Sequence, residues 1–309
     1  MKIAIILVTY NGTPWLAKTL DAVRNSTVAS KIFVVDNGSS DHSVRLLKTY
    51  GGEIKIMASK ENHGFGKANN MAMSAALKEG YEQFLVLNQD AYLEPDCLQK
   101  LSATLAANPD YGLMSPVHLN GTKNALDHGF VLHLKKNNGI DLLNSFLMEK
   151  KENLYAVEFI NAACWLLSKA CLKKVGGFDP LFYHYGEDDN LVQRMHYHGF
   201  KVGLLTTCFA THDRLPETKP NKKKRNALLS RLELIRLSDV RQDFEQSWSA
   251  TKKMYRKALL KSLLTLRIGE AFEKRNQWKT LARKKAAIQN SRSTNTTTQP
   301  YKYLDFEEG

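Results

Sequence analysis

The sequence predicts an α/β protein: a mostly parallel central sheet with flanking helices, followed by a C-terminal helical extension. Three observations carry this. Over the first hundred residues, short β-branched apolar runs alternate with segments whose apolar residues recur at helical spacing. The apolar runs are continuous rather than alternating, as in strands buried on both faces. The charge is also divided. The 309 residues carry 44 Lys+Arg against 31 Asp+Glu, a net +13, yet residues 1–213 balance at 21 basic and 21 acidic side chains. The whole excess lies in residues 214–309, so a neutral body carries a cationic appendage.

Strands are predicted at 3–9, 32–36, 54–58 and 83–87. Between and after them come helices at 13–25, 41–50, 66–78 and 95–106, the last with Pro95 in its first turn. Right-handed crossovers place the loops after these strands on one sheet edge, where open α/β sheets bind ligands. Residues 110–213 are less regular. Strands are expected at 112–117, 130–134, 155–160 and 201–205, helices at 168–175 and 187–198, and a polar loop at 135–153. The extension (214–289) opens with the basic run Lys222–Arg225 and continues as two long helical segments, about 226–244 and 249–289. Residues 290–309 are rich in Ser, Thr and Asn and are expected to be a disordered tail.

Composition excludes several classes. Hydrophobic content of 43% and charged content of 24% suit a folded body, not a disordered chain. No apolar run approaches the roughly 20 residues of a membrane span, and the first ten residues lack the features of a secretory leader. The four cysteines form no CxxC pair and read as buried, reduced thiols of a cytoplasmic protein.

Polar residues cluster where the predicted strands end: Val8-Thr9-Tyr10-Asn11-Gly12, Val35-Asp36-Asn37-Gly38-Ser39-Ser40-Asp41, Asn62-His63-Gly64-Phe65-Gly66 and Leu87-Asn88-Gln89-Asp90. Each alone reads as turn and cap chemistry. Four in phase at one edge suit a nucleotide site. Asp36 can accept from a base or ribose, Asn37 can read a base edge, and glycines before a helix let its N-terminus face phosphate.

This set resembles the family 2 inverting glycosyltransferases, in particular a rhamnosyltransferase-like subgroup, over about residues 1–213. The resemblance implies a GT-A fold with a nucleotide-sugar half (1–110) and an acceptor half (111–213). It implies nucleotide-sugar contacts from Thr9, Tyr10, Asn11, Asp36, Asn37, Asn62, Gly64, Asn88 and Asp90. Asn88-Gln89-Asp90 stands at the family's DxD position. Asp90 would hold a divalent cation, Mn²⁺ or Mg²⁺, while Asn88 replaces the first aspartate and removes one negative charge there. His212 is a second expected metal ligand.

Gly176-Gly177-Phe178-Asp179 leads through Phe182 to Gly186-Glu187-Asp188-Asp189, resembling the family's acidic signature, which ends at Arg194. Inversion by direct displacement needs one carboxylate to take the acceptor hydroxyl's proton. The resemblance assigns this to Asp188, with Glu187 in support. The bland reading is an acidic first helical turn favoured by the macrodipole. Ala163, Trp165, Asp189 and Arg194 are expected around the donor and acceptor cleft, with a core position as the alternative for Trp165.

In the extension, Tyr255, Leu259, Leu263 and Leu266 share a helix face ringed by Lys and Arg, which suits anionic lipid or, equally, packing on the body. Nucleic acid is not expected, because aromatic interleaving and reading motifs are missing. The expected activity is transfer of a hexose or deoxyhexose from a nucleoside diphosphate sugar to a glycan or lipid-linked glycan hydroxyl. The place would be the cytoplasm or the cytoplasmic face of a membrane. The alternative is a catalytically inactive nucleotide-sugar-binding scaffold. A nucleotidylyltransferase would need a basic loop after the first strand, and residues 11–15 contain no Lys or Arg. On this division, deleting residues beyond about Lys222 is expected to cost membrane association more than donor binding.

Overall fold

The computed structural model describes residues 1–136, 144, 145, 148, 152–214 and 222–308. Most of the predicted polar loop at 135–153, and the side chains of Lys222–Arg225, lie outside what is described. The elements run β1 (Ile3–Thr9), α1 (Thr13–Arg24), β2 (Lys31–Asp36), α2 (Ser43–Thr49), β3 (Ile54–Ala58), α3 (Phe65–Lys78), β4 (Gln83–Asn88), β5 (Ala91–Leu93) and α4 (Cys97–Ala107). The second half follows with β6 (Tyr111–Asn120), α5 (His128–Lys136), β7 (Leu154–Val157), β8 (Cys164–Ser168), α6 (Lys169–Val175), α7 (Glu187–Tyr197) and β9 (Lys201–His212). The extension is α8 (Lys222–Ser238), α9 (Phe244–Leu264), α10 (Ile268–Arg283) and α11 (Lys285–Thr296).

One mixed sheet runs β3-β2-β1-β4-β8-β6-β9-β5, with β7 paired to β9. β3, β2, β1 and β4 are mutually parallel, and β8 enters antiparallel between β4 and β6. Alternate residues of the central strands feed opposite faces. Ala4, Ile6, Phe33, Val35, Phe84 and Val86 pack under α3, while Ile5, Leu7, Val34, Leu85 and Leu87 pack with α1 and α4. Both faces are covered, which is why these strands read as unbroken apolar runs. The register aligns the strand ends: Thr9 lies opposite Asp36, and Val8 opposite Asn88. All four cysteines are buried free thiols.

Several expectations are corrected. Residues 130–134 are helical, not a strand. Asp127 caps the first turn of α5 by accepting from the Phe130 amide at 2.9 Å, and Phe130 and Leu134 are buried at i, i+4 spacing. The predicted helix at 249–289 is broken. A turn at Thr265–Arg267, with Leu266 at φ 55, separates α9 from α10, and Lys284 separates α10 from α11.

Residues 290–309 are not a disordered tail over the part described. α11 extends to Thr296 and buries Ile288, Ser291 and Asn295, and Tyr301 and Lys302 beyond it are also buried. The polar composition that suggested disorder is used in bonding. Ser291 Oγ, Asn295 Nδ2 and Tyr303 OH all donate to Asp179 Oδ2, at 2.6, 2.7 and 3.2 Å. A separate apolar cluster joins the extension to the body through Phe182, Leu234, Ile235, Leu237, Trp248, Tyr255, Leu281 and Ile288.

Candidate active site

The strand-end loops are tied together by side chains. Gln89 Oε1 accepts from Thr9 Oγ1 at 2.8 Å and from the Tyr10 amide at 3.0 Å, linking the ends of β1 and β4. A Cβ at Gly12 would fall onto these two side chains and displace their pairing. Asn11 (φ 50) donates its amide to Ser39 Oγ and accepts from the Ser40 amide, both at 2.9 Å. Its side chain therefore braces the β2 loop rather than reaching for a ligand. Asp41 accepts from Thr13 and from the Ser43 amide. Burial raises its proton affinity, but these bonds outweigh burial and hold it well below the usual range.

Asn37 joins the next loop. Its amide group donates to Asn62 Oδ1 at 2.9 Å, and its Oδ1 accepts from the His63 amide at 2.8 Å. Asn62 Oδ1 also takes the Gly64 amide at 2.9 Å. What these bonds leave over is informative. Tyr10 is exposed at the rim, and Asp36 Oδ1 and Asn88 Oδ1 are buried without a protein partner. Buried polar atoms are nearly always bonded, so such oxygens mark places where a polar ligand belongs.

The acidic loop closes on the same surface. Tyr183 OH donates to the Asn62 carbonyl at 2.9 Å. Gly64 has φ 81, and a Cβ there would overlap the Tyr183 carbonyl oxygen. α7 then begins at Glu187 after Gly186, which is left-handed and packs against Ile235 of α8. Glu187 is buried, and its Oε2 has no protein partner. Burial, and then the neighbouring Asp188 charge, push its carboxyl from 4.5 up to about 7. Asp188 is partly buried and accepts from the Asp189 amide at 3.0 Å. Burial raises its proton affinity too, while that amide and His133 of α5 favour the ionised form. Burial thus raises the proton affinity of both adjacent carboxyls, and the Asp188 charge adds to the rise at Glu187.

Asp90 and His212 lie side by side, with Oδ1 and Nε2 3.5 Å apart. Ligands on one ion with bonds of about 2.1 Å stand roughly 3 Å apart, so the pair fits two positions of a divalent cation's shell. Arg214 donates to His212 Nδ1 at 3.0 Å and to Asp127 Oδ1 at 2.8 Å. The neutral ring in this arrangement carries its hydrogen on Nε2. Coordination takes the other tautomer, for which Arg214 would have to leave Nδ1 and Asp127 Oδ1, now 4.0 Å away, would have to approach it. Among the described residues no group of three His, Cys, Asp or Glu could hold a metal, so the remaining positions would fall to donor oxygens and water.

Two expected cleft residues belong elsewhere. Arg194 is fully buried. Its Nη1 and Nη2 donate to the Val175 and Gly177 carbonyls at 2.8 and 2.6 Å, and its Nε to Asn190 Oδ1 at 2.9 Å. Its rigid fork closes the end of α6 instead of meeting sugar. Trp165 is fully buried in β8 opposite Val86, which settles the alternative in favour of core. Ala163 is buried and contributes its carbonyl, which takes the Asn88 amide at 3.0 Å. Asp189 stays partly exposed beside Asp188. Gln89, Tyr183 and His133 went unassigned in the sequence. Gln89 had a readable signal, lying inside a strand-end motif. The other two had none, since Tyr183 meets Asn62 across 121 positions and His133 lies on an element read as a strand.

The strand-end loops thus leave acceptors without a protein partner, and the acidic loop packs beside them through Tyr183. Residues 4–176 match the family described as "Glycosyl transferase family 2", and the chain belongs to that family, as a glycosyltransferase of GT-A fold. It is 31% identical over 100 residues to the chondroitin synthase of Pasteurella multocida, covering 31% of this chain and 10% of that protein. It is 29% identical over 103 residues to the O-antigen chain rhamnosyltransferase RfbN of Salmonella typhimurium, covering 33% of this chain and 32% of that one. The matches thus span a third or less of those relatives. Among solved structures, S. aureus TarS 1–349 in complex with UDP-GlcNAc superposes with a TM-score of 0.54 at 16% identity, covering 80% of this chain and 69% of that one. GalNAc-T7 with UDP, GalNAc and Mn²⁺ gives 0.57 at 14%, covering 76% and 48%. At such identities the likeness speaks for the fold.

Proposed function

We propose that this glycosyltransferase moves a hexose or deoxyhexose from a nucleoside diphosphate sugar to a hydroxyl of a glycan or lipid-linked glycan, with inversion, by single displacement. The observation that carries this is the contact of Tyr183 with Asn62 and Gly64, which sets the Glu187–Asp188 loop against the donor loops. Tyr10, Asp36 and Asn88 bind the nucleoside and sugar, and Asn37, Asn62 and Gly64 shape the loop leading to the α3 N-terminus. Asp188 takes the acceptor hydroxyl's proton as that oxygen attacks the anomeric carbon. Its raised proton affinity makes it a better base than a free aspartate. Glu187, half-protonated near neutrality, can bind the acceptor as donor or as acceptor. A divalent cation held by Asp90 and His212 would neutralise charge on the departing diphosphate.

The likeness to RfbN favours a rhamnosyltransferase-like specificity, and a position on the cytoplasmic face of a membrane would suit a lipid-linked acceptor. Asp188→Asn is expected to reduce transfer by at least about 100-fold while nucleotide-sugar affinity, read by thermal shift, stays unchanged. An Asp188→Asn enzyme with full activity removes the base assignment. If the wild-type chain binds nucleotide sugars but transfers none across a donor and acceptor panel, the inactive-scaffold reading holds instead.

A further inference from the structure

The α9–α10 hairpin is two-sided along its length. Near its base, Trp248, Tyr255 and Leu281 are buried in the cluster shared with Phe182, and the Tyr255 and Trp278 rings stand 5.8 Å apart. Tyr255 is therefore unavailable to a lipid surface, contrary to the reading of a single helix face. The far end is different. Leu264 and Leu266 are 84% and 83% exposed, and Ile268 and Phe272 are each 62% exposed. Leu260 and Leu263 adjoin them and are also exposed.

The turn itself is unusual. The Arg267 amide donates to the Ser262 carbonyl at 2.8 Å and the Leu266 amide to the Leu263 carbonyl at 3.0 Å. This is the helix ending that normally places glycine at the left-handed position. Leu266 holds that position with φ 55. A branched side chain in a strained conformation, almost wholly in water, contributes nothing to this fold.

Charge identifies the occupant. The stretch 244–283 holds ten Lys and Arg against three Glu. Lys253, Arg256, Lys257, Lys261 and Arg267 are exposed along the approach to the tip. Glu270, beside the tip, is 3.6 Å from Arg267 and does not reverse the sign. A second copy docking tip to tip would set like charges against each other. An anionic bilayer satisfies both halves of the pattern, with acyl chains for the leucines and headgroup phosphates for the cations.

We infer that the α9–α10 turn is an insertion tip that seats this protein on an anionic lipid surface, with Leu264, Leu266, Ile268 and Phe272 entering the acyl boundary. This deepens the membrane-face position proposed above and rests on it only for its biological purpose.

The test is flotation of the full chain with vesicles of phosphatidylcholine alone and of phosphatidylcholine mixed with phosphatidylglycerol. Binding is expected with the anionic vesicles and should weaken as salt screens the headgroups. Leu264→Ser, Leu266→Gly and Phe272→Ser should each lower vesicle affinity by about fivefold. Leu266→Gly relieves the left-handed strain, so its melting temperature should hold or rise, separating lost docking from lost folding. Nucleotide-sugar affinity should be unchanged in all three. The inference fails if the wild-type chain does not float with anionic vesicles, or if the tip variants float equally well. Self-association that the tip variants abolish, without vesicle binding, would assign the surface to a second copy instead. Vesicle binding by a chain with no transferase activity would sustain the tip and sink the proposed reaction.

Discussion

Glu187 is a carboxyl whose value in the fold, about 7, lies above its ordinary 4.5. Below pH 4.5 it is protonated whether the chain is folded or not, and its burial then carries no ionic penalty. Between pH 4.5 and 7 the folded state holds a proton that the unfolded state releases, so its contribution to stability falls as pH rises. Glu187→Gln should flatten the decline in melting temperature between about pH 5 and 7.5, read by differential scanning fluorimetry. An identical pH slope in the variant would remove Glu187 as the buried acid. Asp188 follows the same direction, so the rate of transfer should rise with pH through a limb above the usual aspartate range. His133→Ala, by removing a group that favours the ionised form, should move that limb to higher pH. Asp90→Ala should weaken Mn²⁺ binding in the presence of nucleoside diphosphate, measured by calorimetry; unchanged affinity takes Asp90 out of the metal site.

The parallel elements were legible almost to the residue because the signal was local. β1 and β3 coincide with their predicted spans, and the helices between differ at their ends. The loops were legible as a set because short polar residues concentrate at strand ends that the register brings level. Other features are set by distant partners. Arg194 carries a family-like spacing but answers to two carbonyls of the α6 ending. β8 was hidden because Cys164–Ser168 is short and enters antiparallel, a pairing that no periodicity announces. α5 was misread because five residues with two large apolar ones fit either period, and the Asp127 cap decides. Gly64 shows what a loop position can demand. Gly64→Ala combines a left-handed backbone with overlap on the Tyr183 carbonyl, an expected loss of about 2–4 kcal/mol. Chemical denaturation would measure it, and nucleotide affinity should fall with it because Asn62 and Tyr183 must part.

At the scale of the molecule, the charge division survives and the independence read from it does not. The neutral body and the cationic extension share Phe182, Gly186 and Asp179 as contact points. Ending the chain near Lys222 would uncover Phe182, remove Ile235 from Gly186 and strip Asp179 of three donors. The truncated chain should therefore lose stability and donor binding together, rather than membrane association alone. Retained nucleotide-sugar affinity with a normal melting curve would restore the simpler division.

Asp179 also sets the order of events at birth. Its donors lie 112, 116 and 124 residues downstream, so the turn that feeds the catalytic loop waits for that length of chain to be synthesised. At about 5–20 residues per second that delay is on the order of ten seconds. During it, the parallel strands can already have assembled while the acidic loop still lacks its anchor. The nascent enzyme should accordingly gain donor binding and transfer only once Ser291, Asn295 and Tyr303 have reached Asp179.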